Sequence, residues 1–175
     1  MDQLATNLNH PPKSSPHSLD SGLREQAIGH LFLGQLLAHM WCTDARDIEV
    51  LKAEVDRSGY DLVLESRGII RHVQLKSRFR GSTVNEIDVS TKLLGKPGGC
   101  VIWIEFDPGN FELLKFYWFG GPAGTALPDL GDRVSRHSKA NSLGEKTERP
   151  GLRVVSKGRF QVLTAIQEVA NNLFG

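Results

Sequence analysis

Residues 56–78 read DRSGYDLVLESRGIIRHVQLKSR and form the most informative segment of the sequence. Two runs rich in aliphatic residues, Tyr60–Glu65 and Ile69–Lys76, flank the turn residues at 66–68, which predicts a β-hairpin. Gln74 and Lys76 are two residues apart on the second strand, so their side chains point to the same face, about 7 Å apart. The chemistry of the chain is therefore expected on this hairpin.

The length of the hairpin turn decides whether Asp61 joins Gln74 and Lys76. An even-length turn, of two residues (Arg67-Gly68) or four, places Asp61 directly opposite Gln74 on the same face. A three-residue turn would instead pair Asp61 with Val73 and send Gln74 to the other face. Both alternatives are open at the level of sequence.

The remaining elements surround this hairpin in the order α-β-β-β-α-β-β-loop-α. This order predicts an α/β fold, a mixed central β-sheet flanked by helices, in which the second helix is a right-handed crossover between the third and fourth strands. The expected elements are a helix from Asp20 or Ser21 to about Met40, a strand Ile48–Val55, the hairpin, a helix Val84–Leu94, strands Cys100–Phe106 and Phe111–Phe119, a basic loop 120–158 and a C-terminal helix 159–174. We expect residues 1–18 to form a disordered tail and residues 19–175 a single domain with its core at about 20–119.

Composition excludes several classes of protein. The 175 residues carry 21 basic and 20 acidic side chains, a net charge of +1, which argues against a polycation or an acidic tail. The most apolar run, Leu31–Trp41, is too short for a membrane span, and the N-terminus has no apolar signal core. The two distant cysteines predict reduced thiols and a cytoplasmic location, and a disulfide between them is the alternative. The six histidines lack zinc-ligand spacing, so no zinc site is expected.

An aspartate, a side-chain carbonyl and a lysine on one sheet face suit metal-assisted hydrolysis of phosphodiesters. Asp61 and the Gln74 oxygen could each give a hard oxygen ligand to Mg²⁺, which keeps several waters. The ion would lower the pKa of a bound water and offset charge on the phosphoryl oxygens. Lys76 could orient that water or interact with the scissile phosphate as a point charge.

The residues of this hairpin resemble the PD-(D/E)xK nuclease superfamily, the restriction-endonuclease-like fold with an α-β-β-β-α-β core. The matching residues are Asp61, reached through the run DRSGYD, and Gln74-Leu75-Lys76 as the (E/Q)xK element. The resemblance implies Mg²⁺ or Mn²⁺ held by Asp61, Gln74 and the Leu75 main-chain carbonyl, with Lys76 catalytic. Gln74 replaces the more usual acid, which removes one negative charge from the site.

A glutamate on the first helix often completes the site in that superfamily, and Glu25 is the natural match. It falls on the apolar stripe with Ile28 and Phe32, where a lone carboxylate is costly unless it has a partner. The resemblance therefore adds Glu25 as a further catalytic residue and metal ligand. The alternative is a helix N-terminal acid that interacts favourably with the helix dipole.

The expected substrate is DNA, bound by basic residues on the hairpin and in the loop after the core. Several cations along one strand end favour a polyanion. Many members of the superfamily cut two strands as dimers, so the resemblance admits a homodimer, and it also admits a subunit that works beside a helicase or a defence-system partner. The alternative function is a non-catalytic nucleic-acid-binding or assembly module with the same fold. The residues expected to contact nucleic acid are Arg71, Arg78, Arg80, Arg133, Arg136 and Lys139.

Overall fold

The computed structural model describes residues 20–53, 58–138 and 144–175. Its α-helices are α1 (Ser21–Cys42) and α2 (Ile166–Phe174). The strands are β1 (Glu49–Lys52), β2 (Leu62–Ser66), β3 (Ile69–Phe79), β4 (Glu86–Ser90), β5 (Gly99–Phe106), β6 (Leu113–Gly120), β7 (Val134–Arg136), β8 (Glu148–Ser156) and β9 (Gln161–Leu163). The predicted tail at 1–18 lies outside the described residues.

The larger sheet has six strands in the order β1-β2-β3-β5-β6-β9. Strands β3 and β5 are parallel, and the other neighbours are antiparallel. The predicted mixed central sheet of an α/β protein is therefore confirmed. Because β3 lies inside this sheet, it carries the hairpin residues into the middle of the molecule.

The hairpin between β2 and β3 closes with the two-residue turn Arg67-Gly68. Both residues have positive φ, 54° and 72°, as a type I′ turn requires. The register pairs Leu62 with Val73, so the even-length alternative is confirmed, and Asp61 directly precedes the last pair of the hairpin. Gly68 adopts positive φ without steric cost, and Arg67 adopts a left-handed conformation beside it. The glycine explains why the sequence predicted this turn correctly.

Asp47 stabilises the turn from outside the hairpin. Its carboxylate accepts hydrogen bonds from the Arg67 amide at 2.6 Å and the Ser66 hydroxyl at 2.9 Å. The bond from the Arg67 amide, followed by that from Ser66, lowers the pKa of Asp47 below its ordinary value of 3.8. The charged carboxylate therefore favours the folded state.

We expect this contribution to depend on pH. Because the folded-state pKa is lowered, the stabilisation is present above pH 3.8 and is lost as the pH falls through the folded-state value. The Tm of the wild type and that of Asp47→Ala should differ most near neutral pH. The difference in Tm should narrow as the pH falls below 3.8. An equal difference in Tm at pH 7 and at pH 3 would contradict the assignment.

The predicted crossover helix at 84–94 is wrong. Residues 86–90 form β4, and a 3₁₀ helix follows at Thr91–Gly95, with the Ser90 hydroxyl accepting from the Lys92 amide. Val89 and Leu93 are buried, and β4 pairs with β8. The physical reason is this pairing, since β8 supplies a partner far along the chain that satisfies the backbone of β4.

The predicted basic loop and the start of the last helix also need correction. Strands β4, β8 and β7 form a second, three-stranded antiparallel sheet, so residues 120–158 are not a continuous loop. Helix α2 begins at Ile166 instead of residue 159, because Val162 and Leu163 belong to β9. One is exposed and the other buried, the alternation of an edge strand.

Two hydrophobic cores lie on the two faces of the larger sheet. Helix α1 buries Ile28, Phe32, Leu36 and Met40 in the first core, together with Val73. The second core contains Val89, Leu93, Val101, Trp103 and Phe160.

Both cysteines are free thiols, as the sequence predicted. Cys42 is exposed and Cys100 is buried. Burial raises the pKa of the Cys100 thiol to about 12, which keeps it protonated. Among the described helices, none has both the length and the apolar character that crossing a membrane requires.

Candidate active site

Asp61 directly precedes β2, at the point where the pairing of β2 with β3 ends. Its amide donates to the Val73 carbonyl at 2.9 Å, and its Oδ2 accepts from the Leu75 amide at 2.6 Å. The carboxylate thus bonds the β3 backbone just beyond the last β2 pair. Since the amide and carbonyl of one strand residue point to the same edge, the Leu75 carbonyl faces the Asp61 side.

A cavity of about 450 Å³ opens beside this edge, between α1 and the end of β3. It brings together four of the five residues that the sequence assigned to catalysis or metal binding: Glu25, Asp61, Leu75 and Lys76. The polar lining from α1 and the sheet is Glu25, Gln26, His30, Lys52, Asp61, Lys76 and Ser77.

The fifth residue, Gln74, lies elsewhere. Its side chain is 6% exposed, and its Oε1 accepts from the Ser90 amide at 3.4 Å. Gln74 is not one of the described residues that line the cavity. The predicted grouping of Gln74 with Asp61 and Lys76 is therefore wrong, because the Gln74 amide is directed to the junction of β4 and the 3₁₀ helix.

Glu25 has a different environment from the one that the sequence suggested. Its side chain is 66% exposed and lies 3.7 Å from the Arg24 guanidinium. The expectation of a carboxylate within the apolar face is wrong, because the buried face of α1 consists of Ile28, Phe32, Leu36 and Met40 and does not include Glu25. Glu25 lines the cavity as a solvated group and needs no partner to offset burial.

Sequence reasoning missed Lys52, a second lysine in the cavity. It ends β1, where it pairs with Leu62, and the adjacent Ala53 amide donates to the Asp61 carbonyl at 3.0 Å. The signal was present as a lysine at the end of a predicted strand. The segment between β1 and Asp61 includes residues 54–57, which lie outside the described part of the chain. Its length in the sequence did not predict how β1 pairs with β2.

The cavity offers only a few oxygen donors to a cation. Asp61 offers a carboxylate and Leu75 a main-chain carbonyl, and Glu25 lines the same cavity. In residues 20–53, 58–138 and 144–175, no three His, Cys, Asp or Glu side chains group closely enough to hold a metal. This donor set suits Mg²⁺, which keeps several waters, better than a metal that needs a closed cage of side chains.

Two of the predicted nucleic-acid contacts are structural residues instead. Arg71 is fully buried and donates to the carbonyls of Leu173, Gly121 and Asn172. Arg78 is 8% exposed, with its Nε 3.2 Å from Glu105 Oε2. A guanidinium held inside the protein presents no surface to a phosphate, so both assignments are corrected.

The other predicted contacts lie on the surface where they are described. Arg80, Arg133 and Arg136 have side chains 63%, 63% and 64% exposed. Each pairs with an acid: Asp107, Glu86 and Glu148, respectively. Lys139 lies outside the described residues. The exposed arginines could exchange their carboxylate partners for phosphates, at the cost of breaking the ion pairs.

Comparisons with known proteins include a match to a solved structure. A bacterial homing endonuclease, I-Ssp6803I, matches over 69% of this chain and 85% of its own, with 20% sequence identity and a TM-score of 0.31. No protein-family model matches the sequence. No curated protein matches it either.

Proposed function

We propose that the protein is a metal-dependent nuclease that hydrolyses DNA phosphodiester bonds by a PD-(D/E)xK-type mechanism. The observation that carries the proposal is the bond from the Leu75 amide to the Asp61 carboxylate, which fixes that carboxylate in the cavity it shares with Lys76. The register of β2 and β3 gives further support, because it makes this contact a consequence of the hairpin.

The proposed ion is Mg²⁺ or Mn²⁺, held by Asp61, the Leu75 carbonyl and Glu25. When bound, it would supply a water of lowered pKa and positive charge for the phosphoryl oxygens. Asp61 is preset for this role, since its hydrogen bond to the β3 backbone fixes the side chain. Gln74 could act as a ligand only if its Oε1 gave up the hydrogen bond that it accepts from the Ser90 main-chain amide.

Lys76 is the proposed catalytic cation. Its ammonium would contact the scissile phosphate or hold the attacking water, while Lys52 across the cavity would bind a neighbouring phosphate. Two lysines and two carboxylates in one cavity give a site that can bind a polyanion and still hold a divalent cation.

The test is cleavage of supercoiled, linear and single-stranded DNA with Mg²⁺, Mn²⁺ or EDTA. We expect metal-dependent cleavage that Lys76→Ala reduces by about 100-fold or more, because charge stabilisation in an active site has this magnitude. Lys115→Ala, a change at an exposed strand lysine outside the cavity, is the matched control and should cleave normally. Wild-type activity in Lys76→Ala would overturn the assignment.

A second candidate is a non-catalytic nucleic-acid-binding or assembly module. The observation that favours it is the engagement of Gln74 with the Ser90 amide, which leaves the described site with few ligands. Absence of cleavage in every condition, together with no calorimetric signal for Mn²⁺, would select this function. Sizing of the purified protein, alone and with a helicase or defence-system partner, tests the proposed assemblies.

A further inference from the structure

The cavity beside Asp61 extends well beyond the groups that the proposed hydrolysis needs. Its volume of about 450 Å³ lies within the range of sites for small organic ligands, roughly 300–1,000 Å³. A phosphate and an ion at Asp61 would leave the side of the cavity formed by α1 unfilled. The side chains on that side differ in character from Asp61 and Lys76.

The inner wall is apolar. Leu33 and Leu75 are partly buried against the core and leave apolar surface exposed to the cavity. They line it together with the charged groups Asp61 and Lys76. The cavity therefore joins an apolar floor to a charged opening, the combination that a nucleoside with its phosphate presents.

Two glycines of α1 keep the space open. A Cβ at Gly22 would meet no atom within 4 Å, and one at Gly29 would meet only the Leu75 Cδ1, at 3.8 Å. Glycine inside a helix costs up to about 1 kcal/mol relative to alanine. Neither glycine is required by a close contact, so both leave room on the cavity side of the helix.

We propose that this cavity receives one unpaired nucleotide of a DNA strand, with its base on the apolar floor and its phosphate between Lys52 and Lys76. The proposal rests on the nuclease function proposed above and specifies its substrate. A base in a duplex is stacked and paired, and it must leave the helix to enter a pocket. Single strands and frayed ends have already lost those interactions, so they are the preferred substrates.

Gln26 gives the cavity a group for base recognition. It lies on α1, and its amide offers both a donor and an acceptor to the edge of a base. The base would otherwise contact aliphatic side chains, which tolerate any sequence. The pocket therefore selects for an unpaired base and weakly for its identity.

The test is equilibrium binding in EDTA, where cleavage does not occur. A short oligothymidylate should bind about tenfold more tightly than an abasic strand with the same number of phosphates, because removing about 60 Å² of apolar surface from water is worth roughly that factor. The same strand in a blunt duplex should bind more weakly. Equal affinity for the base-containing and abasic strands would overturn the proposal.

A pair of variants tests the location. Gly29→Leu places a side chain in the cavity and should abolish the preference for the base-containing strand. Gly34→Leu is the matched control, since Gly34 is on the same helix, lines a different groove and has no atom within 4 Å of an added Cβ. Loss of the preference in both variants, or in neither, would contradict this site.

The two proposals fail differently. A wild type that cleaves DNA but binds abasic and base-containing strands equally would retain the nuclease and overturn the nucleotide pocket. A wild type that prefers the base-containing strand but never cleaves would retain the pocket and overturn the nuclease. Neither result depends on a variant that must fold.

Discussion

Asp61→Asn should lose metal-dependent cleavage by about 100-fold or more while the protein remains folded. Asparagine keeps an oxygen that can accept from the Leu75 amide, which Asp61 Oδ2 does at 2.6 Å. It removes the negative charge that would hold the cation. Loss of a group that merely supports a metal ligand already costs about 10–100-fold, and a ligand should cost at least as much.

The measurement is single-turnover cleavage together with calorimetric titration of Mn²⁺. We expect both the rate and the metal affinity to fall, with the urea midpoint of unfolding nearly unchanged. Asp129→Asn is the control, since Asp129 caps the Gly131 amide in a distant loop. Normal Mn²⁺ affinity in Asp61→Asn would remove Asp61 from the metal site.

Arg71→Met should destabilise the protein by about 3–5 kcal/mol, the largest effect on stability that we expect. Arg71 is fully buried, and its guanidinium donates to three main-chain carbonyls, those of Leu173 and Asn172 at 2.7–2.8 Å and that of Gly121 at 3.2 Å. Methionine would fill much of the volume but leave these carbonyls without their donors. Burial lowers the pKa of the guanidinium, so this charge is already held at a cost.

Urea unfolding of Arg71→Met, Arg71→Lys and Arg80→Met would measure this effect. Lysine supplies one charged donor group without the planar fork of arginine, so Arg71→Lys should lose less stability than Arg71→Met. Arg80 is 63% exposed, and its removal should change stability by less than about 1 kcal/mol. Equal unfolding midpoints for the Arg71 and Arg80 variants would show that the buried bonds contribute little.

The sequence was most informative where the structure is local. The hairpin register depends on a two-residue turn whose glycine can be read directly, and that register determines the position of Asp61. The turn and its register need no knowledge of distant parts of the chain. Alternation along β3 did not predict the grouping around Lys76, because Leu75 and Ser77 line the cavity with it and Gln74 does not.

Features that depend on distant partners were missed. Ile87 and Val89 fit a helical stripe as well as a strand, and the pairing of β4 with β8 decided between them. The same pairing places Ser90 beside Gln74, which moved that side chain away from the expected site. Arg71 was assigned to the surface because its carbonyl partners lie as far along the chain as α2.

Strand β5 belongs to both hydrophobic cores, and this has a consequence for how the protein unfolds. Ile102 and Ile104 pack on the helical side, whereas Val101 and Trp103 pack on the other. Loss of either layer would expose half of this strand to water at a large cost in hydrophobic free energy. The two layers are therefore expected to unfold in a single cooperative transition, and the cavity beside Asp61 should be lost in that same transition.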